Sequence, residues 1–241
     1  MSQIIFHHIP KNAGTSLRAS VDRCLDKNSF FWHYSAPLNL NFEISDFFAL
    51  SNPEVFKEEL KKKIESKRFL GGHFTLQDYL NLRSLCQINN NTVHLFVLRS
   101  PVERVVSYWE FCQNLPEHVH KTEQDISTAM DEGFGFFKAV PWEQNYYISG
   151  QNSFDKSLEE ISKHKFIIVT SDKLEVLTDY LNMQFSAEKI SSTNKKFNVN
   201  PDQNYQLKYA HVKDRIADLV KEDQKLYQFV SSNGGVYSNV I

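Results

Sequence analysis

The sequence predicts an α/β fold: a three-layer sandwich in which a central parallel sheet has helices on both faces and is followed by a helical C-terminal tail. Apolar runs of strand length alternate with segments of helical period, the pattern of a parallel sheet covered by helices. One of these runs is apolar almost without a break, as expected for a strand buried on both faces. The predicted strands are residues 4–9, 68–74, 92–98 and 165–170.

Each predicted helix has an apolar period or a start signal. After the first strand, Leu17, Val21 and Leu25 recur on one helix face. The later starts are marked by pairs of an N-cap residue and proline, or by a capping-box pattern: Asn52-Pro53, Ser100-Pro101, Thr122 with Asp125, and Asn200-Pro201. The helix after the fourth strand is predicted from Leu174, Leu177 and Leu181. Residues 30–48 are aromatic and without a period, and are predicted to be irregular.

The composition limits the classes of function. The chain has 241 residues, 41% hydrophobic and 23% charged, so we expect residues 1–241 to form one large domain. A formal net charge of −2 argues against a general nucleic-acid binder, so an anion site must be a local cluster. Three scattered cysteines without a CxxC pattern indicate reduced thiols. With no signal-peptide pattern and no apolar run near the roughly 20 residues of a membrane span, we expect a cytoplasmic protein.

The stretch after the first strand has the layout of an anion site. Pro10 ends the strand because proline has no N–H to donate, and residues 11–16 form a turn that leads into a helix. A helix start presents N–H groups and partial positive charge to an anion. The layout is P-loop-like, although Lys11 stands three residues before Gly14, whereas the Walker A lysine follows its last glycine. The alternative is an ordinary strand-to-helix turn with a surface lysine.

Two further polar features are predicted at the same edge of the sheet, because ligands of such sheets bind beyond the carboxyl ends of the strands. His73 follows the second predicted strand, and Arg99 ends the third, eight residues before Ser107. A guanidinium offers phosphate a planar fork of donors, so Arg99 and Ser107 can form a second anion subsite. Taken singly, a surface arginine and a solvent-facing serine are the simpler interpretations.

Two motifs resemble a known family. PKNAGTS (residues 10–16) and LRSPVERVVSYW (residues 98–109) are similar to the sulfotransferases that use 3′-phosphoadenosine 5′-phosphosulfate (PAPS). The similarity is closest to the carbohydrate branch with the heparan sulfate 2-O-sulfotransferases, and the short chain indicates a bacterial-type soluble member. The resemblance implies that the 5′-phosphosulfate is bound by Lys11, Asn12, Ala13, Gly14, Thr15 and Ser16, and the 3′-phosphate by Arg99 and Ser107. It also matches His73 to a histidine proposed as the base.

The residue types suit the implied reaction, the transfer of a sulfuryl group from PAPS to an acceptor hydroxyl on a carbohydrate or small molecule. By analogy with phosphoryl transfer the transition state is loose, so positioning and charge stabilisation dominate. Lys11 would stabilise the leaving phosphate, and a neutral His73 would take the proton of the hydroxyl. No metal is required, and the sequence has no HExxH or CxxC motif.

Other interpretations stay open. The chain is alternatively a small-molecule kinase with a degenerate nucleotide loop, although it lacks GK[ST], or a non-catalytic nucleotide- or glycan-binding module. A structural role is the simpler explanation for three other histidines, His7, His8 and His94. Arg104 either supports the anion site or faces water. Two interpretations fit Lys195 and Lys196: they fold over the 3′-phosphate, or they form a solvated basic turn. Five aromatic residues can line an acceptor pocket or belong to ordinary packing, and the sequence favours neither: Trp32, Tyr34, Phe42, Phe47 and Phe48.

Overall fold

The central sheet is largely parallel. The computed structural model describes residues 2–25, 30–33, 53–115, 121–135, 137, 143–185 and 208–240. The strands in these ranges are β1 (Gln3–His7), β2 (Phe30–His33), β3 (Phe69–Gly72), β4 (Thr92–Leu98), β5 (Phe166–Thr170) and β6 (Val236–Ser238). They form one sheet in the order β2-β3-β1-β4-β5-β6, in which only β6 is antiparallel to its neighbour. This confirms the predicted α/β class.

Helices cover both faces of the sheet. Their bounds are α1 (Gly14–Cys24), α2 (Pro53–Glu65), α3 (Leu76–Leu85), α4 (Pro101–Asn114), α5 (Ile126–Asp131), α6 (Glu143–Ser149), α7 (Phe154–Lys163), α8 (Leu174–Gln184), α9 (Lys213–Leu219) and α10 (Lys221–Ser231), with a 3-10 turn at Ala210–Val212. On one face, Phe6 packs in a cluster with Leu17 of α1 and Leu177 of α8. On the other, Phe96 packs with Tyr147 of α6 and other residues of α3, α7 and α10. Of the helices in the described ranges, none is long and apolar enough to cross a membrane.

The sequence missed two strands. β2 lies in the stretch predicted to be irregular, where FFWH is too short to show a period. β6 lies in the predicted helical tail, and its three residues pair with β5 about 70 positions earlier in the chain, a contact that a local pattern does not show. β1 ends at His7, two residues before the predicted end at Ile9.

The helix starts were predicted more accurately than their caps. Pro53 and Pro101 are the first residues of α2 and α4, as predicted. Ser100 takes the N-cap position of α4 but makes no side-chain cap hydrogen bond. The capping box of Thr122 and Asp125 is wrong: Asp125 itself caps α5, because its carboxylate accepts the backbone N–H groups of the second and third helical residues. The start at Asn200-Pro201 lies outside the described residues.

His7 and His94 form a buried pair between β1 and β4. His7 Nε2 lies 2.9 Å from His94 Nδ1, and His7 Nδ1 lies 3.1 Å from the carbonyl oxygen of Phe74. A carbonyl only accepts, so His7 Nδ1–H donates to it, and His7 Nε2 accepts from His94 Nδ1–H. Burial lowers the pKa of His7 to about 3 and that of His94 well below its usual value, so both rings are neutral. The geometry supports a structural role for both histidines.

Candidate functional site

The turn between β1 and α1 has the backbone of an anion-binding nest. Lys11 has a φ of 67° and Ala13 a φ of 61°, and the residue between them has no positive φ. Alternation of this kind turns successive N–H groups toward one side. Within the described residues, the N–H groups of Ala13 and Gly14 donate to no backbone carbonyl, so both can point at an oxyanion. Each left-handed non-glycine residue costs on the order of 1–2 kcal/mol, and strain of this kind clusters at functional sites.

Gly14 allows a histidine ring to pack against the turn. A Cβ atom at Gly14 would lie 1.8 Å from His8 Cδ2 and 2.1 Å from His8 Nε2. The ring of His8 is buried there and lies 4.1 Å from the ring of His73. The next two residues lie in the first turn of α1: Thr15 is exposed, and the backbone N–H of Ser16 donates to Ala13 O at 3.0 Å. The glycine is therefore required by the packing of His8 against the turn.

One face of α4 is directed toward the turn and carries Ser107. Lys11 Nζ lies 4.4 Å above the ring centroid of Phe111. Arg99 Nη1 lies 3.4 Å from the carbonyl oxygen of Lys11, and Arg99 Nε lies 3.6 Å from Glu103 Oε2. Glu103, Ser107 and Phe111 are spaced by four residues and share this face. Ser107 thus lies one turn from each of the two residues that Arg99 and Lys11 contact. The structure brings Lys11 and Arg99 into contact, and Ser107 lies on the face of α4 whose other residues they contact.

The charges in this cluster favour an anion. Burial is the main cause that lowers the pKa of Lys11, and the nearby Arg99 guanidinium lowers it further. Two cations that are close together and partly withdrawn from water destabilise each other. A multiply charged anion between them would remove that cost.

The side chain of Asn12 points into the protein. Asn12 is 1% exposed, and its Nδ2 donates to Val97 O at 2.8 Å and to Gln144 Oε1 at 2.9 Å. Gln144 Oε1 also accepts the backbone N–H of Arg99 at 2.9 Å, while Gln144 Nε2 donates to Arg99 O at 3.0 Å. The backbone N–H of Asn12 also donates inside the turn, to Ile9 O at 3.2 Å, so Asn12 acts through the shape of the turn. The sequence analysis missed Gln144, because no periodic pattern distinguishes a buried glutamine from a surface one.

The start of α6, which carries Gln144, is held by the C-terminal helix. Asp223 on α10 is fully buried, and its carboxylate accepts the backbone N–H groups of Gln144 at 3.1 Å and Asn145 at 2.8 Å. Burial raises the pKa of Asp223 to about 6, against the effect of the Arg104 charge. The carboxylate thus supplies a helix N-terminus with the partner that its first N–H groups lack.

His73 directly follows β3 at the same edge of the sheet. Its Nδ1 lies 2.9 Å from the carbonyl oxygen of His8. Because a carbonyl only accepts, Nδ1 carries the hydrogen and Nε2 carries the lone pair, the form that a general base requires. Burial lowers the pKa of His73 below its usual 6.5, and the hydrogen bond to His8 partly opposes this shift. The ring is therefore a neutral base at neutral pH.

Sequence comparison identifies the family. A model described as "Sulfotransferase family" matches residues 1–229, which include the Lys11 turn, His73, Arg99 and Asp223. The chain belongs to the sulfotransferase family. No curated protein matches this sulfotransferase in sequence.

Solved structures show distant likeness. The sulfotransferase from Alicyclobacillus acidocaldarius is 6% identical, with a TM-score of 0.43, and the match covers 93% of this chain and 96% of that one. Mouse sulfotransferase SULT7A1 complexed with PAP is 16% identical, with a TM-score of 0.40, and the match covers 88% of this chain and 64% of that one.

Arg104 does not face water in this sulfotransferase, so that alternative is wrong. Its side chain is fully buried, and its Nη1 lies 2.7 Å from Glu143 Oε2. Burial raises the pKa of Glu143 to about 7, although the Arg104 charge acts in the opposite direction. The ion pair joins α4 to the first residue of α6, next to Gln144. Arg104 therefore acts on the site through the packing of these two helices.

The remaining predictions for this sulfotransferase fall on residues whose side chains the structure does not describe. They concern the two possible phosphate-covering lysines and the loop aromatics: Lys195, Lys196, Trp32, Tyr34, Phe42, Phe47 and Phe48. Among the residues that are described, no group of three or more histidine, cysteine, aspartate or glutamate side chains could hold a metal ion.

Proposed function

We propose that this protein transfers the sulfuryl group of PAPS to a hydroxyl of a carbohydrate or small-molecule acceptor. One observation carries the proposal: the Arg99 guanidinium and the Lys11 turn meet at 3.4 Å, at the ends of β1 and β4, which are adjacent in the sheet. PAPS has an anionic group at each of two separated positions, and two neighbouring cationic segments suit such a molecule. Membership of the sulfotransferase family supports the reaction type. The resemblance of the two motifs to the carbohydrate branch favours a hydroxyl on a carbohydrate as the acceptor.

The residues present fit this donor. The N–H groups of Ala13 and Gly14 would hold the 5′-phosphosulfate in the nest, and the ammonium of Lys11, which extends from the same turn, would add a positive charge. Arg99 and the half-buried hydroxyl of Ser107 would hold the 3′-phosphate. When bound, PAPS would supply the sulfuryl group.

Lys11 and His73 divide the work of the transfer. The bond from sulfur to the phosphate oxygen breaks as the bond from sulfur to the acceptor oxygen forms. The Lys11 ammonium stabilises the negative charge that develops on the phosphate oxygen. His73 Nε2 accepts the proton of the acceptor hydroxyl, and His73 Nδ1–H stays bonded to His8 O. The electron pair of the broken bond therefore remains on the phosphate.

Two measurements test the proposal against its alternatives. Calorimetry should show tighter binding of adenosine 3′,5′-bisphosphate without metal than of ATP with Mg²⁺, and a clear preference for ATP would indicate a kinase. Labelled sulfate from PAPS should then appear on at least one member of a panel of carbohydrate and small hydroxyl acceptors. Bisphosphate binding without transfer to any of them would indicate a binding module.

Arg99→Ala should weaken the binding of adenosine 3′,5′-bisphosphate by about 10- to 100-fold, because a charged hydrogen bond contributes about 1.5–3 kcal/mol. The affinity for adenosine 5′-monophosphate should change much less, since that molecule has no 3′-phosphate. Calorimetry with both nucleotides gives the comparison.

The matched control for this prediction is Arg215→Ala, which removes an arginine whose Nη2 pairs with Asp131 on α5 at 2.5 Å. Its nucleotide affinities should equal those of the wild type. Equal loss of affinity for both nucleotides in Arg99→Ala would contradict a 3′-phosphate subsite at Arg99.

A further inference from the structure

We propose that Gln144 is a positioning residue that fixes the spacing between the Lys11 turn and Arg99, and thereby the ability to bind both phosphates of one nucleotide. The inference rests on the proposed function. Gln144 is fully buried, so its carboxamide acts through its protein contacts.

The carboxamide of Gln144 joins the two anion-binding segments through one group. Its Oε1 accepts Asn12 Nδ2–H and the backbone N–H of Arg99, both at 2.9 Å. Its Nε2 donates to the carbonyl oxygen of Arg99 at 3.0 Å. The Lys11 turn, through Asn12, and Arg99 therefore both donate hydrogen bonds to the same atom, Oε1. The position of this atom sets the distance between the two segments.

The pairing with Arg99 has two points of contact. A carboxamide that accepts from the N–H and donates to the carbonyl of one residue restrains the backbone on both sides of that Cα atom. The position and orientation of the Arg99 Cα–Cβ bond are thus fixed, and the guanidinium lies 3.4 Å from the Lys11 carbonyl oxygen. Preorganisation of this kind reduces the ordering that binding would otherwise require.

The contact with Asn12 restrains the strained side of the site. Asn12 lies between Lys11 and Ala13, both of which have positive φ. Such a backbone persists only where the surrounding contacts overdetermine it. The two hydrogen bonds of Asn12 Nδ2, to Gln144 Oε1 and to Val97 O at 2.8 Å, provide that restraint.

The backbone of Gln144 is itself anchored. Asp223 Oδ2 accepts the Gln144 N–H at 3.1 Å, and Asp223 Oδ1 accepts the next N–H at 2.8 Å. Asp223 of α10 therefore anchors the backbone of Gln144, while the side chain of Gln144 binds the Lys11 turn and Arg99.

The test compares Gln144→Met with Gln3→Met. Gln3 is also a buried glutamine, and its Nε2 donates to Ile64 O at 2.7 Å and to Lys67 O at 2.8 Å, but it lies at the opposite end of β1 from the turn. Both variants lose a buried carboxamide of the same size, so both should unfold at a lower temperature. Only Gln144→Met should weaken the binding of adenosine 3′,5′-bisphosphate, by about 10- to 100-fold, because it alone loosens the nucleotide site.

A second measurement separates positioning from stability. In Gln144→Met the preference for adenosine 3′,5′-bisphosphate over adenosine 5′-monophosphate should fall, whereas in Gln3→Met it should stay at the wild-type value. If Gln144→Met does not fold, Gln144→Asn keeps a carboxamide that is one methylene too short to reach both segments, and it should lose the same preference.

Different results would contradict the proposed function and the role of Gln144. A wild-type protein that does not bind adenosine 3′,5′-bisphosphate overturns the proposed function together with this inference. Wild-type binding with an unchanged nucleotide preference in Gln144→Met and Gln144→Asn overturns the inference alone. Equal loss of nucleotide affinity in Gln144→Met and Gln3→Met does the same, because it would reflect stability rather than position.

Discussion

Replacing Lys11 with alanine is expected to lower the turnover number by about 100- to 1,000-fold, the usual effect of removing one group that stabilises developing charge. Lys11 is the cation of the strained turn, and in the proposed reaction its ammonium would stabilise the charge on the phosphate oxygen as the bond to sulfur breaks. Steady-state transfer of labelled sulfate at saturating PAPS gives the turnover number directly.

The control for Lys11→Ala is Lys156→Ala, which removes an exposed lysine on α7 whose Nζ pairs with Glu159 at 2.9 Å. It should retain the wild-type turnover number. Binding of adenosine 3′,5′-bisphosphate, measured in parallel, shows whether Lys11 acts mainly on the chemical step. A Lys11→Ala protein that turns over at the wild-type rate would contradict the role assigned to this lysine.

Replacing His73 with alanine is expected to lower sulfate transfer by about 100- to 10,000-fold and to leave the affinity for adenosine 3′,5′-bisphosphate nearly unchanged. The loss follows because the acceptor hydroxyl has no other assigned base. Transfer rates and calorimetry on the same preparation measure the two quantities. A His73→Ala protein that transfers sulfate at the wild-type rate would show that another residue is the general base.

The pH profile adds an independent check on His73. Burial lowers its pKa below 6.5, so the ring stays neutral, and able to accept a proton, at a lower pH than an exposed histidine. The acidic limb of kcat/KM in the wild type should therefore fall below pH 6.5 and be missing from the residual activity of His73→Ala. His211→Ala, which changes an exposed histidine, should retain this limb. A limb that persists in His73→Ala would belong to another group.

Local patterns were enough to predict the strands that lead to the site. The runs that become β1, β3 and β4 were predicted as parallel strands, and the rule for their carboxyl ends predicted Lys11, His73 and Arg99 at one edge. β2 and β6 were missed because each is at most four residues long and owes its structure to pairing with a partner distant in sequence. A strand of this kind has too few residues to show a period.

The buried polar contacts of the site were beyond sequence analysis for a different reason. Asn12 and Gln144 are 132 positions apart, and neither looks unlike a surface residue in the sequence. The burial of Arg104 cannot be read from the sequence, because arginine is rarely buried and its partner Glu143 lies 39 positions away. Such partners become visible only when the packing of α4, α6 and α10 is known.

The anchoring of α6 by Asp223 has a consequence for how the protein is made. During synthesis the Lys11 turn is made before α6, and the carboxylate that secures the start of α6 emerges 79 residues after Gln144. Long-range contacts form late, because the intervening chain must close first. A nascent chain therefore lacks the anchor of α6 until α10 has been synthesised and has docked.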